Sequence, residues 1–166
     1  MKFLVLIILI SCFSNGYTQE EEGLDLFLAA NSEIEIQHFL NFVQELDSSN
    51  QCGLALHGTA LAMSASFGYN PITKLNRFSQ GKKLIESGIS QSSFNPCPHF
   101  CRLAVQSQSP GFLDYDEHIE SDAVIVTEAL SNGWLLDQRD TRKGLIEFMI
   151  NETQISAGLK AKLEKL

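Results

Sequence analysis

Residues 54–110 read LALHGTALAMSASFGYNPITKLNRFSQGKKLIESGISQSSFNPCPHFCRLAVQSQSP, and this stretch decides the fold. From Leu54 to Phe67 the residues other than His57 are apolar or small, with Gly68 placed to end a helix. Ala55, Gly58, Ala60, Ala62 and Ala65 let a neighbouring helix approach closely. Asn70-Pro71 then reads as a cap followed by proline in the first helical position, where its missing N–H costs nothing. Leu75, Phe78, Gly81, Ile85 and Gly88 form the stripe of that next helix. Asn95-Pro96 repeats the device and opens another, with Phe100, Leu103 and Ala104 inward, ending near Ser109-Pro110.

The same periodicity extends in both directions. Upstream, Ser32-x-x-Glu35 is a capping box, followed by Ile36, Phe39, Leu40, Val43 and Leu46 before Asp47-Ser48-Ser49-Asn50 breaks the run. Downstream, a helix starts at Asp114 or Asp116 and runs through Ile119, Ala123, Val126 and Leu130 to Asn132-Gly133; its acidic first turn suits the positive end of a helix dipole. Two more follow, about Arg142 to Ile150 and about Glu152 to Leu163. No segment alternates convincingly as a strand. The expectation is an all-α domain of about seven short helices. The helices beginning near Leu54 and Pro96 start about 43 residues apart, each with a partner helix, the rhythm of a helical-hairpin, repeat-like array.

The chain has 166 residues, 44% hydrophobic and 19% charged, which suits one ordinary domain. Its first 18 residues read as a signal peptide: Lys2, then an apolar run from Phe3 to Phe13 too short to span a bilayer. Residues 19–166 are then the mature domain, and loss of Lys2 takes the formal net charge from −8 to −9. Leu9-Ile10-Ser11-Cys12 is also spelled like a lipobox, so export ends either in free secretion after Gly16-Tyr17-Thr18 or in a lipid anchor on Cys12. So acidic a domain is poorly suited to nucleic acid, and membrane association is expected only through lipidated Cys12.

Charge runs in blocks. Gln19 to Thr73 holds eight acidic residues and no basic one; Lys74 to Arg102 holds five basic and one acidic. Such blocks reflect complementary packed helices or solvated faces, or else a binding patch. Lys74, Arg77, Lys82 and Lys83 are therefore candidates for contact with an acidic protein or peptide partner. Arg102 and Gln106, four apart on one helical face, are candidates for a polar role, as partner contacts or as a network tying down the Pro110 to Tyr115 loop.

Lys74-Leu75, Phe78, Gly81-Lys82, Asn95-Pro96, Phe100, Arg102-Leu103, Gln106, Pro110, Phe112-Leu113, Tyr115, Ile119 and Asp122 form a pattern that resembles a family of small exported, tetratricopeptide-like helical proteins of Bacteroidetes. The resemblance covers about a third of the chain. It implies source, export and fold, and supplies no reaction. Cys97, Pro98, His99 and Cys101 depart from the family's pattern.

With Cys12 removed, Cys52, Cys97 and Cys101 form an odd set in an oxidising compartment. Cys52 lies just before one helix and Cys97 in the first turn of another, so one disulfide is expected, from Cys52 to Cys97 or Cys101, with one thiol left over. Cys97 to Cys101 would bridge only with strain. A zinc- or thiol-dependent enzyme centred on Cys52, His57, Cys97 and Cys101 is the alternative, with His99 in reach by sequence but on the opposite side of the helix from the two cysteines. Asp114, His118 and Asp122 would share a helical face, as an exposed acidic helix start or a weak metal candidate. The segment from Asp114 is no calcium loop, because Ile119 and Ile125 stand at the positions needing glycine and glutamate. Asn151-Glu152-Thr153 is a glycosylation sequon, irrelevant in a bacterial source. No phosphate-binding glycine loop, His-Glu-x-x-His or nucleophile elbow occurs. The reading is an exported binding or scaffold module with no catalytic residue, metal or cofactor, recognising its partner in a groove between paired helices.

Overall fold

Three asparagines set the register of the central helices. In the computed structural model, which describes residues 15–47, 49–92 and 94–166, Asn50 Oδ1 accepts from the amides of Cys52 (2.8 Å) and Gly53 (3.2 Å) and starts α3, Gln51–Ser64. Asn70 Oδ1 accepts from Ile72 N at 2.8 Å and starts α4, Pro71–Gln91; Asn95 Oδ1 accepts from Cys97 N at 3.0 Å and starts α5, Pro96–Gln108. Each side chain satisfies amides that the first helical turn leaves without partners. Ser32 caps α2, Glu33–Gln44, by accepting from Glu35 N, while the Glu35 carboxylate reaches back to Asn31 N at 2.9 Å.

The remaining helices are α1 (Asn15–Ala29), α6 (Ile119–Ser131), α7 (Arg139–Glu152) and α8 (Ala157–Leu163), with short 3₁₀ turns at Ala65–Phe67 and Gly111–Leu113. The protein is all-α: eight helices and no strand among the described residues. Helix α1 is one more than expected. It contributes Leu24 and Phe27 to the core, and Phe27 meets Phe39, Phe100 and Phe148 edge-on, the last at 5.3 Å between ring centroids. The expected export run and Cys12 lie outside the described residues, and Asn15–Thr18 form the first turn of α1. Among the described residues no helix is long and apolar enough to cross a membrane.

Helices α3 and α4 pack as a tight antiparallel hairpin because their contact stripe is glycine. A methyl on Gly58 would stand 2.5 Å from Gly81 O, and one on Gly88 would stand 2.6 Å from Gln51 O. Helix α5 packs on α3 and pairs with α6, while α1, α2 and α7 close the core over Phe39, Leu56, Phe100, Leu103 and Leu145. Helices α3 and α7 start three residues earlier than expected, at Gln51 and Arg139, and the starts of α6 and α8 are later. The chain enters α6 at Ile119 rather than at Asp114 or Asp116, because a 3₁₀ turn ends at Asp114 in the left-handed region (φ 48°) and Gln106 Oε1 instead accepts from His118 N at 3.2 Å. Helix α8 starts after Ser156, whose hydroxyl accepts from Leu159 N, so residues 153–156 form a connection rather than a helix.

Candidate functional site

The polar features of α5 converge on one residue of α6. Asp122 is fully buried; its carboxylate accepts from Arg102 Nε at 2.7 Å and Nη2 at 2.9 Å, and from His99 Nδ1 at 2.6 Å. Since an ionised carboxylate only accepts, His99 carries its proton on Nδ1. Arg102 also donates through Nη1 to Glu86 of α4 at 2.8 Å, and the Tyr115 hydroxyl donates to the other Glu86 oxygen at 2.8 Å. Lys82 Nζ sits 4.3 Å above the Tyr115 ring. Burial works to raise the Asp122 pKa, but the hydrogen bonds from Arg102 and His99 and their charges outweigh it, so the carboxyl is held below its ordinary range. Burial and the Glu86 carboxylate both raise Tyr115, keeping its hydroxyl protonated as the donor.

This network ties the Pro110 to Tyr115 segment to α4 and α5, with Gln106 fastening the next turn through His118 N. Arg102 and Gln106 are buried, at 7% and 2% exposure, and are engaged within the domain rather than presented to a partner. Asp114, His118 and Asp122 do not share an exposed helical face: Asp114 precedes α6, His118 is its cap, and Asp122 is buried against Arg102. His99 and Asp122 meet at the distance of a general-base dyad, yet the ring is 4% exposed and its Nε2 is buried without a hydrogen-bond partner.

Cys52 and Cys97 form a disulfide, with Cα atoms 5.4 Å apart, that pins the start of α3 to the start of α5. Among the described residues Cys101 is the thiol left over; burial pushes it up to about 12, so it is protonated and unreactive at neutral pH. Two of the thiolates a zinc site would need are thereby used, His99 points to α6, and among the described residues no three His, Cys, Asp or Glu side chains gather to hold a metal. His57, half-buried on α3, is desolvated and its pKa is lowered.

The basic residues of α4 are dispersed. At about 100° per residue, Lys74, Arg77, Lys82 and Lys83 spread around the whole helix. Lys74 Nζ and Arg77 Nη1 reach back to the carbonyls of Ser66 (3.0 Å) and Ser64 (3.2 Å), where α3 ends; only Lys83 projects freely. One of the four does line a concavity, and sequence reasoning did not locate it. An open cleft of about 1120 Å³ lies over α5, with α4 and the Ala65–Phe67 turn on one side and α7 on the other. Phe27, Met63, Leu75, Phe78, Val105 and Phe148 line it, with Lys74 at the first amino-terminal turns of α4 and Glu147 and Glu152 on α7. Phe112 and Leu75 stand at its edge, 85% and 56% exposed. Sequence patterning places Leu75 and Phe78 in the inward stripe of α4 and gives no sign that they border a cleft. No family model, curated protein or solved structure matches the chain.

Proposed function

We propose that this is an exported binding module that takes an apolar ligand in the cleft between α4 and α7. The observation that carries the reading is the exposed apolar lining: a concavity of about 1120 Å³, larger than most small-molecule sites, edged by Phe112 and Leu75, which contribute little to the core where they stand. The Phe3 to Phe13 run and the disulfide Cys52–Cys97 support an oxidising, extracytoplasmic setting. The buried network serves the same purpose, because it anchors the Pro110 to Tyr115 segment that forms one edge of the cleft. No observation favours catalysis centred on Cys52, His57, Cys97 and Cys101.

Titration with the neutral, environment-sensitive dye N-phenyl-1-naphthylamine tests the proposal. The wild-type domain should enhance its fluorescence saturably, and Leu75→Glu with Phe112→Glu should weaken binding at least about tenfold without lowering stability, since both side chains are exposed. Equal binding by the double variant would remove the cleft from consideration.

A further inference from the structure

Resting on that reading of the cleft, we infer that its ligand is a single-chain amphiphile with an anionic end, a long-chain carboxylate of the fatty-acid class, whose carboxylate is held at Lys74. Three observations lead there. Most of the uncharged polar side chains that line the cleft donate to the domain's own backbone: Thr59 to Ala55 O, Ser66 to Met63 O, Ser109 to Val105 O, Gln108 to Glu152 O and Asn31 to Ala29 O. Such walls offer few donors to a polypeptide backbone, and much apolar surface to an alkyl chain.

Charge is placed asymmetrically as well. Lys74 is the one cationic side chain of the lining, and it forms no ion pair among the described residues; its ammonium uses one donor on Ser66 O and keeps two more. Pro71 lines the cleft too, so the amino-terminal, positive end of the 21-residue helix α4 borders the same corner as Lys74. The two carboxylates of the lining belong to α7, a helix that packs on α1, α5 and α8, and one of them, Glu147, is 3.6 Å from Lys143. An anionic end is therefore favoured at the α4 side and repelled at the α7 side, which orients a chain lying across the floor formed by Ala104 and Val105.

Displacement of N-phenyl-1-naphthylamine by dodecanoate, dodecanol and dodecylammonium, below their aggregation concentrations at pH 8, tests this. Dodecanoate should displace the dye about tenfold more effectively than dodecanol, with dodecylammonium weakest. Lys74→Met should bring dodecanoate down to the level of dodecanol while leaving dodecanol unchanged, and Lys74→Glu should reverse the order of the two ions. Equal displacement by all three, unaffected by Lys74→Met, would overturn the charged-end inference and leave the apolar cleft standing. Dye binding with no displacement by any alkyl compound would overturn the inference on chain length and shape instead. Absence of dye binding would sink the reading of the cleft itself, and the inference with it.

Discussion

Replacing Asp122 by asparagine removes one charge from the centre of the domain while keeping the side chain's shape, and the expected cost follows from its neighbours. Asp122 is fully buried and accepts three hydrogen bonds, two from Arg102 and one from His99. Breaking a buried ion pair by removing one partner costs about 3–5 kcal/mol, because the other charge is left uncompensated. Arg102 keeps Glu86 at 2.8 Å, and the carbonyl of the introduced amide still accepts one bond, so the lower end applies, about 3 kcal/mol. With a urea slope of about 2 kcal/mol/M, the midpoint should fall by roughly 1.5 M, measured by circular dichroism with the disulfide intact. Arg102→Met in the Asp122→Asn background should add much less than it costs alone, since the two groups form one unit. A loss below about 1 kcal/mol for Asp122→Asn would refute the reasoning, because it would equate this buried network with an exposed surface pair.

Acid should act on the same carboxylate. The folded-state pKa of Asp122 lies below its unfolded value near about 3.9, so its stabilisation is fully present above that value and is lost as pH falls through the folded pKa; a urea midpoint that drops below about pH 4 in the wild type, and drops less in Asp122→Asn, is the expected result. Removing the Cys52–Cys97 crosslink, by Cys52→Ser with Cys97→Ser, releases a loop of sequence separation 45 and should cost about 4 kcal/mol on chain-entropy grounds, read as a lowered urea midpoint. Cys101 should stay silent to maleimide in the folded state and react on unfolding. Gly81→Ala should destabilise by about 2 kcal/mol through overpacking against Gly58 O and Ala62, although alanine is the better helix former. Gly158→Ala, at an exposed position of α8 whose nearest neighbour is 4.0 Å away, should be neutral or slightly stabilising by the same denaturation assay.

The helices that can be read from sequence are those whose ends carry their own chemistry. Asn70-Pro71, Asn95-Pro96 and Ser32-x-x-Glu35 act locally, through side chains bonding amides two or three residues away. The small-residue stripe of α3 also declares its partner, since Gly58 has no use for missing its side chain unless another backbone lies there. Helix α1 escapes notice because its apolar residues are bunched at Leu24 to Leu28 behind three glutamates, with no repeat of the three-and-four spacing; its stability comes from Phe27 meeting rings of α2, α5 and α7. The start of α6 is misread from sequence because Asp114 and Asp116 look like caps, whereas the entry is set by Gln106, on another helix. That Cys52 is crosslinked to the start of α5 follows from two helix starts being neighbours and is visible from spacing; that its partner is Cys97 rather than Cys101 is decided only by the packing.

Site legibility divides along the same line. That Arg102 and Gln106 share a face is readable, and so is a role in holding the Pro110 to Tyr115 loop; their partners are not, because Glu86, Tyr115, His118 and Asp122 come from other elements. The chain of bonds has a consequence for the cleft. Pro110, Phe112 and Leu113 line it without a side-chain hydrogen bond of their own, so their position rests on what flanks them: Tyr115 on Glu86 and His118 on Gln106. Glu86 is held in turn by Arg102, and Arg102 by Asp122. The polar network thus holds in place the apolar 3₁₀ turn Gly111–Leu113 at the edge of the cleft. The costly burial of these polar side chains is explained if it fixes an exposed surface, where a core serving stability alone would be equally well filled by apolar residues of the same volume.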